Sequence, residues 1–197
     1  MPRPRTRTDA QVLDAALRAV SARGMAGLTL ADVAREAGLA ASTLAERFGS
    51  KRALLLAAAR HAAGEVRLPE GDVVDALVAL AAGVGDRAAF AHQLALLELD
   101  VSDPEFRAAA AEHAASVQAQ LAARVGDAGL ARALYVAYNG SLVLWALSGE
   151  GRLGDTLRAD LEAVLVRSRS RGPAGPAAPA TARAVPPGGP PPPAGCG

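Results

Sequence analysis

Lys51 is the only lysine in the chain and it directly follows Ser50, a residue type that caps helices. A cation in the first turn of a helix, beside backbone N–H groups that have no intrahelical partner, suits a phosphate; the plain alternative is a solvated lysine. Thr29 stands at a second helix start, where its hydroxyl caps the helix or donates to a phosphate. At the N-terminus Arg3, Arg5 and Arg7 alternate with Pro and Thr. That stretch is too polar to pack, and it either reaches a phosphate or the minor groove or forms an inert basic end. No comparable set of residues serves catalysis. There is no Gly-rich phosphate loop, no G-x-S-x-G turn, no H-E-x-x-H and no Cys/His cluster, and His61, His92 and His113 have no metal-ligand spacing. Glu98 and Asp100, two apart on a helix, diverge. No enzyme activity, metal or cofactor is expected.

The element that must position Lys51 and Thr29 is written in Leu30-Ala-Asp-Val-Ala-Arg-Glu-Ala-Gly-Leu-Ala-Ala-Ser-Thr-Leu-Ala-Glu-Arg-Phe48. Two short helices, Leu30 to Ala37 and Ala41 to Arg47, are joined by a three-residue turn containing Gly38, which is the plan of a helix-turn-helix whose second helix enters the DNA major groove. Val33, Ala34 and Ala37 face inward, small Ala34 lets the helices cross closely, and Leu44 and Phe48, at i and i+4, anchor the second helix. Ala41, Ser42, Ala45 and Glu46 then point outward. Ahead of this pair, Val12, Leu13, Ala16, Leu17 and Val20 predict an amphipathic helix from about Thr8 to Arg23, ended by Gly24. After it, Gly49-Ser50 breaks the chain before a fourth helix that runs to about Ala63.

These stretches together resemble the TetR family of bacterial transcriptional regulators. The resemblance runs from about Thr8 to Leu56. It is carried by Ala15-Ala16, Gly24, Leu28-Thr-Leu-Ala-Asp-Val-Ala, Ala37-Gly-Leu, Ser42-Thr-Leu and Phe48-Gly-Ser-Lys-Arg-Ala-Leu-Leu55. It implies that Ala41, Ser42 and Thr43 lie near base edges or the DNA backbone and that Arg47 and Lys51 contact phosphates. The chain departs from the family where Ala45 replaces the usual tyrosine, and Arg47 stands where a histidine is frequent. Loss of the tyrosine removes a backbone contact that the charge of Arg47 can compensate.

Composition sets the larger plan. A length of 197 residues allows one compact domain or a small module joined to a larger one. The hydrophobic share is 51% with only 3% aromatics, and 49 residues are Ala, so the apolar mass is small and helix-favouring. The formal charge of +1 conceals an asymmetry: residues 1–65 carry a net +4 and residues 66–165 a net −7. A basic head on an acidic remainder predicts that only the head meets a polyanion. No apolar run approaches the roughly 18 to 20 residues a bilayer requires, and no signal peptide is visible, so a cytoplasmic protein is expected. Cys196 has no partner for an internal disulfide.

The reading is thus all-α with about nine helices. A basic arm (1–7) precedes a helix-turn-helix DNA-binding domain (8–65), a helical regulatory and dimerisation domain (66–170), and a Pro/Ala/Gly-rich tail (171–197) too poor in large apolar residues to fold. The later helices are predicted at Asp72–Ala82, Asp86–Val101, Asp103–Arg124, Leu130–Ser148 and Leu153–Arg167. In the family these form a ligand-binding bundle whose last two helices pair with a second subunit. Leu142, Trp145, Leu161 and Leu165 are candidates for that homodimer interface or for the protomer core. Phe90, Leu94, Leu97, Phe106 and Tyr138 line a candidate pocket for a small apolar or amphipathic effector, or else are core. The functional expectation is a ligand-responsive repressor binding a palindromic operator as a dimer. The alternative is a small-molecule-binding helical dimer with degenerate DNA recognition.

Overall fold

The computed structural model describes residues 7–25 and 27–170; Arg3, Arg5, the tail from 171 onward and Cys196 lie outside them. Nine α-helices and no strand occur among the described residues. Helix α1 (Asp9–Arg23) opens with a capping box in which Thr8 accepts from the Gln11 N–H and the Gln11 side chain accepts from the Thr8 N–H. Helices α2 (Leu30–Ala37) and α3 (Ala41–Phe48) follow, then α4 (Lys51–Glu65), whose Ser50 cap accepts from the Ala53 N–H.

The second part is built by a repeated device. Asp72, Asp86, Asp103 and Asp127 each accept from a backbone N–H in the next turn, and so start α5 (Val73–Ala81), α6 (Arg87–Ser102), α7 (Pro104–Val125) and α8 (Ala128–Ser148). Each cap contributes about 1 kcal/mol. The last helix is α9 (Leu153–Ser170). Boundaries depart from expectation where a cap or a tightening decides them. Helix α8 begins at Ala128 because Asp127 bonds the Leu130 N–H. Helix α5 stops at Ala81 and tightens into a 3-10 turn, Ala82–Val84, before Gly85, whose φ of 79° an L side chain rarely adopts.

Two hydrophobic cores result. In the first, Val12, Ala16, Val20, Val33, Leu44 and Leu54 of α1–α4 come together with Leu28 of the α1–α2 connection, and Phe106 from α7 is inserted among them. In the second, Leu77, Phe90, Val117, Leu121, Leu134, Tyr138, Leu157 and Leu161 of α5–α9 pack together. Counting unbroken apolar runs does not reveal α8. Its 21 residues are long and apolar enough to cross a bilayer by length and composition, although Arg132, Asn139 and Ser141 interrupt the run. Leu134, Tyr138, Leu142 and Trp145 nevertheless place one face of this helix in the second core.

Candidate nucleic-acid interface

The turn between α2 and α3 is Gly38-Leu39-Ala40. Gly38 takes the left-handed conformation (φ 69°, ψ 36°), and the Leu39 N–H returns to the Ala34 carbonyl at 2.8 Å and the Gly38 N–H to that of Arg35 at 3.2 Å, so two of the carbonyls at the end of α2 are used. Leu44 is fully buried and Phe48 partly so, which fixes α3 on the first core. The opposite face, Ala41, Ser42, Ala45 and Glu46, is exposed, and Thr43 is half-buried. No side chain caps the start of α3. Its first N–H groups therefore sit beside three small residues, an arrangement that lets a duplex approach the helix end closely.

The other expected contacts are already engaged within the protomer. Thr29 is exposed, but its hydroxyl donates to Asp32 at 2.6 Å while accepting from the Asp32 N–H at 3.2 Å, so the proton it would offer a phosphate is in use. These bonds to Thr29, reinforced by Arg35 and Arg23, hold the Asp32 carboxyl below the usual carboxylate range. Lys51 is partly buried. Its ammonium donates to the carbonyl oxygens of Leu28 (2.7 Å) and Met25 (3.2 Å), and so ties the α1–α2 connection to α4 with two of its three N–H groups. Arg47 donates to the Arg7 carbonyl at 3.0 Å and pairs with Asp9 through its second amino group, and its guanidinium lies over the Phe48 ring. A side chain expected on a phosphate thus holds the start of α1 against the end of α3.

The five candidate effector residues do not converge. Phe90 and Tyr138 are buried in the second core, Phe106 in the first, while Leu94 and Leu97 face outward at 38% and 54% exposure. Phe106 leaves the expected group because the first turn of α7 runs against α4, where Arg52 lies over its ring. Two clefts flank the 3-10 turn instead. One, of about 370 Å³, lies between Leu17, Ser21 and Ala22 of α1 and the segment Gly83–Ala89; the other lies beside Val78, Ala81 and Leu153. None of the five residues lines either. Among the described residues no group of three His, Cys, Asp or Glu side chains converges.

Leu142, Trp145 and Leu161 are buried inside the protomer and Leu165 only partly exposed. The surface that α8 and α9 do present is a different set: Val136, Val143, Leu144, Leu147 and Val166. The signal was readable, since α8 carries apolar residues on two faces and the protomer covers only one.

A family model for bacterial regulatory proteins of the tetR family matches residues 12–58, which run from α1 into α4. A solved structure of a member of the TetR family from Streptomyces coelicolor A3 superposes with a TM-score of 0.58 at 30% identity, over 78% of this chain and 95% of that one. The chain belongs to the TetR family of bacterial regulatory proteins. Members of this family are DNA-binding transcription regulators rather than enzymes. The multidrug binding protein EbrR, solved with imidazole, gives a TM-score of 0.58 at 29% identity, over 81% of this chain and 95% of that one. The HTH-type transcriptional regulator BetI of Agrobacterium fabrum (strain C58 / ATCC 33970) is 40% identical over 67 residues. That match takes in 34% of this chain and 31% of BetI, so the chain spans about a third of the length of that relative. Within the family frame, the arrangement α1–α4 followed by a helical bundle is the expected all-α plan.

Proposed function

We propose that this chain is a sequence-specific, ligand-responsive repressor that binds a palindromic operator as a homodimer, with residues 8–65 as the DNA-binding domain and 66–170 as the regulatory and dimerisation domain. The observation that carries the reading is the pairing of two surfaces. Helix α3 offers an uncapped, small-residue end at Ala41, Ser42 and Thr43, and α8 with α9 exposes an apolar stripe that a protomer alone leaves in water. A second copy covering Val136, Leu144 and Leu147 removes that stripe from solvent and fixes two α3 helices relative to each other. Recognition helices about 34 Å apart meet successive major grooves, and an effector that changes their separation weakens binding. Thr29 and Lys51 act in this reading by setting the start of α2 and of α4 at the DNA face, Lys51 with one N–H left for a phosphate. EbrR is described as a multidrug binding protein and was solved with imidazole and with ethidium, which favours a small apolar or amphipathic effector here. A cytoplasmic location follows from the same role.

The test is selection of bound duplexes from random DNA by the full-length protein at near-physiological salt, where non-specific phosphate binding is weakened, with the oligomeric state measured by sedimentation. Recovery of one palindrome by a dimer is expected. A monomer, or a pool with no shared sequence, overturns the reading, and the second outcome favours a small-molecule-binding dimer with degenerate DNA recognition. That alternative has its own support in the small outward face of α3 and in the internal engagement of Arg47.

A further inference from the structure

We infer that the two copies of the proposed homodimer cross at Gly140 of α8, where the backbones of the two α8 helices meet. The inference rests on the homodimer reading above and adds to it the place and the closeness of the crossing. Ala133, Val136, Gly140, Val143 and Leu147 recur at spacings of three and four residues, so they share one face of α8, with Leu144 beside them. All six are exposed in the protomer. Such spacing is that of a seam along which one helix packs on another, and Gly140 stands at its centre.

Nothing within the protomer accounts for a glycine there. Position 140 lies well inside a 21-residue helix and has no positive φ. A Cβ built on it meets no atom within 4 Å. The neighbouring helices of the protomer therefore leave the space unused, and only proline is less favoured than glycine in a helix interior. A second backbone brought against this point does use the space, because the missing side chain lets two helix axes approach more closely than the usual separation of about 8 to 10 Å.

Two observations make the occupant a second copy of this chain. From Ala133 to Ser148 α8 carries no charged residue. In a two-fold contact a residue near the axis faces its own copy, so a charge there would meet a like charge, and this face has none to meet. Val136, Val143, Leu144 and Leu147, with Val166 of α9, are the large apolar side chains that these helices leave in water. They expose on the order of 500 Å², more than half of the roughly 800 Å² that each partner of a stable complex buries. A crossing at Gly140 fixes the orientation of the two protomers, and with it the separation of their α3 helices.

Sedimentation equilibrium of the full-length protein and its variants tests the crossing. Gly140→Leu is expected to raise the dimer dissociation constant by about tenfold to a hundredfold, with helix content unchanged, since position 140 faces open space in the protomer. Ala133→Leu enlarges the same face about 10 Å further along the helix, where crossing helices have diverged, and is expected to leave the constant unchanged. Gly140→Ala is expected to act in opposite directions on folding and on assembly. It raises the urea midpoint in the background of Leu144→Glu with Leu147→Glu, yet weakens the dimer in the otherwise unaltered chain. A Gly140→Ala protein with a raised midpoint and an unweakened dimer overturns the crossing, and so does equal weakening by Gly140→Leu and Ala133→Leu, which would mean that the helices run side by side. Either result leaves the homodimer standing. A monomeric wild type sinks both.

Discussion

His92 on α6 donates from Nδ1 to the carbonyl oxygen of Ser21 on α1, 2.9 Å away, and its ring stands where a side chain at Gly24 would have to go. A Cβ built on Gly24 meets His92 Cδ2 at 2.8 Å, and Gly24 itself sits at φ 72°, ψ 172°, a region nearly closed to other residues. Gly24→Ala is therefore expected to destabilise the protein by about 2 kcal/mol or more. Gly24→Ala combined with His92→Ala recovers only the steric part, because the backbone strain remains. Urea unfolding of Gly24→Ala, His92→Ala and the double variant separates the two; a double variant no less stable than His92→Ala alone would show that the backbone conformation carries no cost.

Arg52 on α4 binds Asp103 (2.6 Å) and Glu105 (2.8 Å) at the α6–α7 corner, and Arg60 joins through Glu105 at 3.3 Å. The guanidinium of Arg52 holds the Asp103 carboxyl below the usual carboxylate range. A depressed folded-state pKa gives stability that is present above the unfolded value and lost as pH falls through the folded one. Asp103→Asn keeps the cap on the Glu105 N–H and removes only the charge. Its urea midpoint is expected to lie below wild type at pH 7 by a small amount that salt reduces, since Arg52 is half-exposed. The two curves are expected to converge in strong acid. A gap that persists at the lowest pH would assign the loss to something other than this pair.

How far the sequence discloses such relationships depends on their range along the chain. The α2–α3 unit was legible because its signals are local: Thr29 caps, Gly38 stops, and Val33, Ala34, Ala37 and Leu44 repeat at helical spacing. The same holds for Asp72, Asp86 and Asp103, which stand at three expected helix starts, but not for Asp127, which starts α8 two residues before the expected Leu130. Periodicity failed where it says that a helix is apolar but not which stripe its own protomer covers. On α8, Leu142 and Leu144 differ by two residues, about 200° of rotation, and one is buried while the other is 64% exposed. Arg47 and Asp9 lie 38 residues apart, so no spacing rule joins them. Apolar character groups Phe106 with Phe90 and Tyr138, yet the crossing of α7 over α4 places it in the other core.

Tyr138 makes a prediction at the alkaline end. Burial in the second core, with Tyr135 beside it, pushes its phenol up to about 12. A folded-state pKa above the unfolded value near 10 contributes stability that is complete below pH 10 and lost as pH rises toward 12. Two units correspond to about 2 to 3 kcal/mol. The difference in unfolding free energy between wild type and Tyr138→Phe, measured from pH 8 to 12, is expected to change by about that amount across this window. A difference that stays flat would mean that the phenol is as accessible to base in the folded protein as in the unfolded chain.

In the proposed homodimer the outer face of α8 serves assembly and its inner face serves folding. Leu147 is 77% exposed and Leu144 64%, one turn apart on the stripe that the protomer leaves in water, whereas Leu142 is 5% exposed in the second core. Leu144→Glu with Leu147→Glu places two charges on the outer stripe, where an isolated protomer tolerates them and a buried contact with a second copy does not, because unpaired charges resist desolvation. Sedimentation is expected to show a monomer with unchanged helix content. Leu142→Ala instead leaves a cavity inside the protomer and is expected to lose about 2 to 5 kcal/mol of stability while the folded fraction remains a dimer. A dimer that survives the double glutamate variant would place the contact elsewhere and leave the outer stripe of α8 without a partner of its own kind.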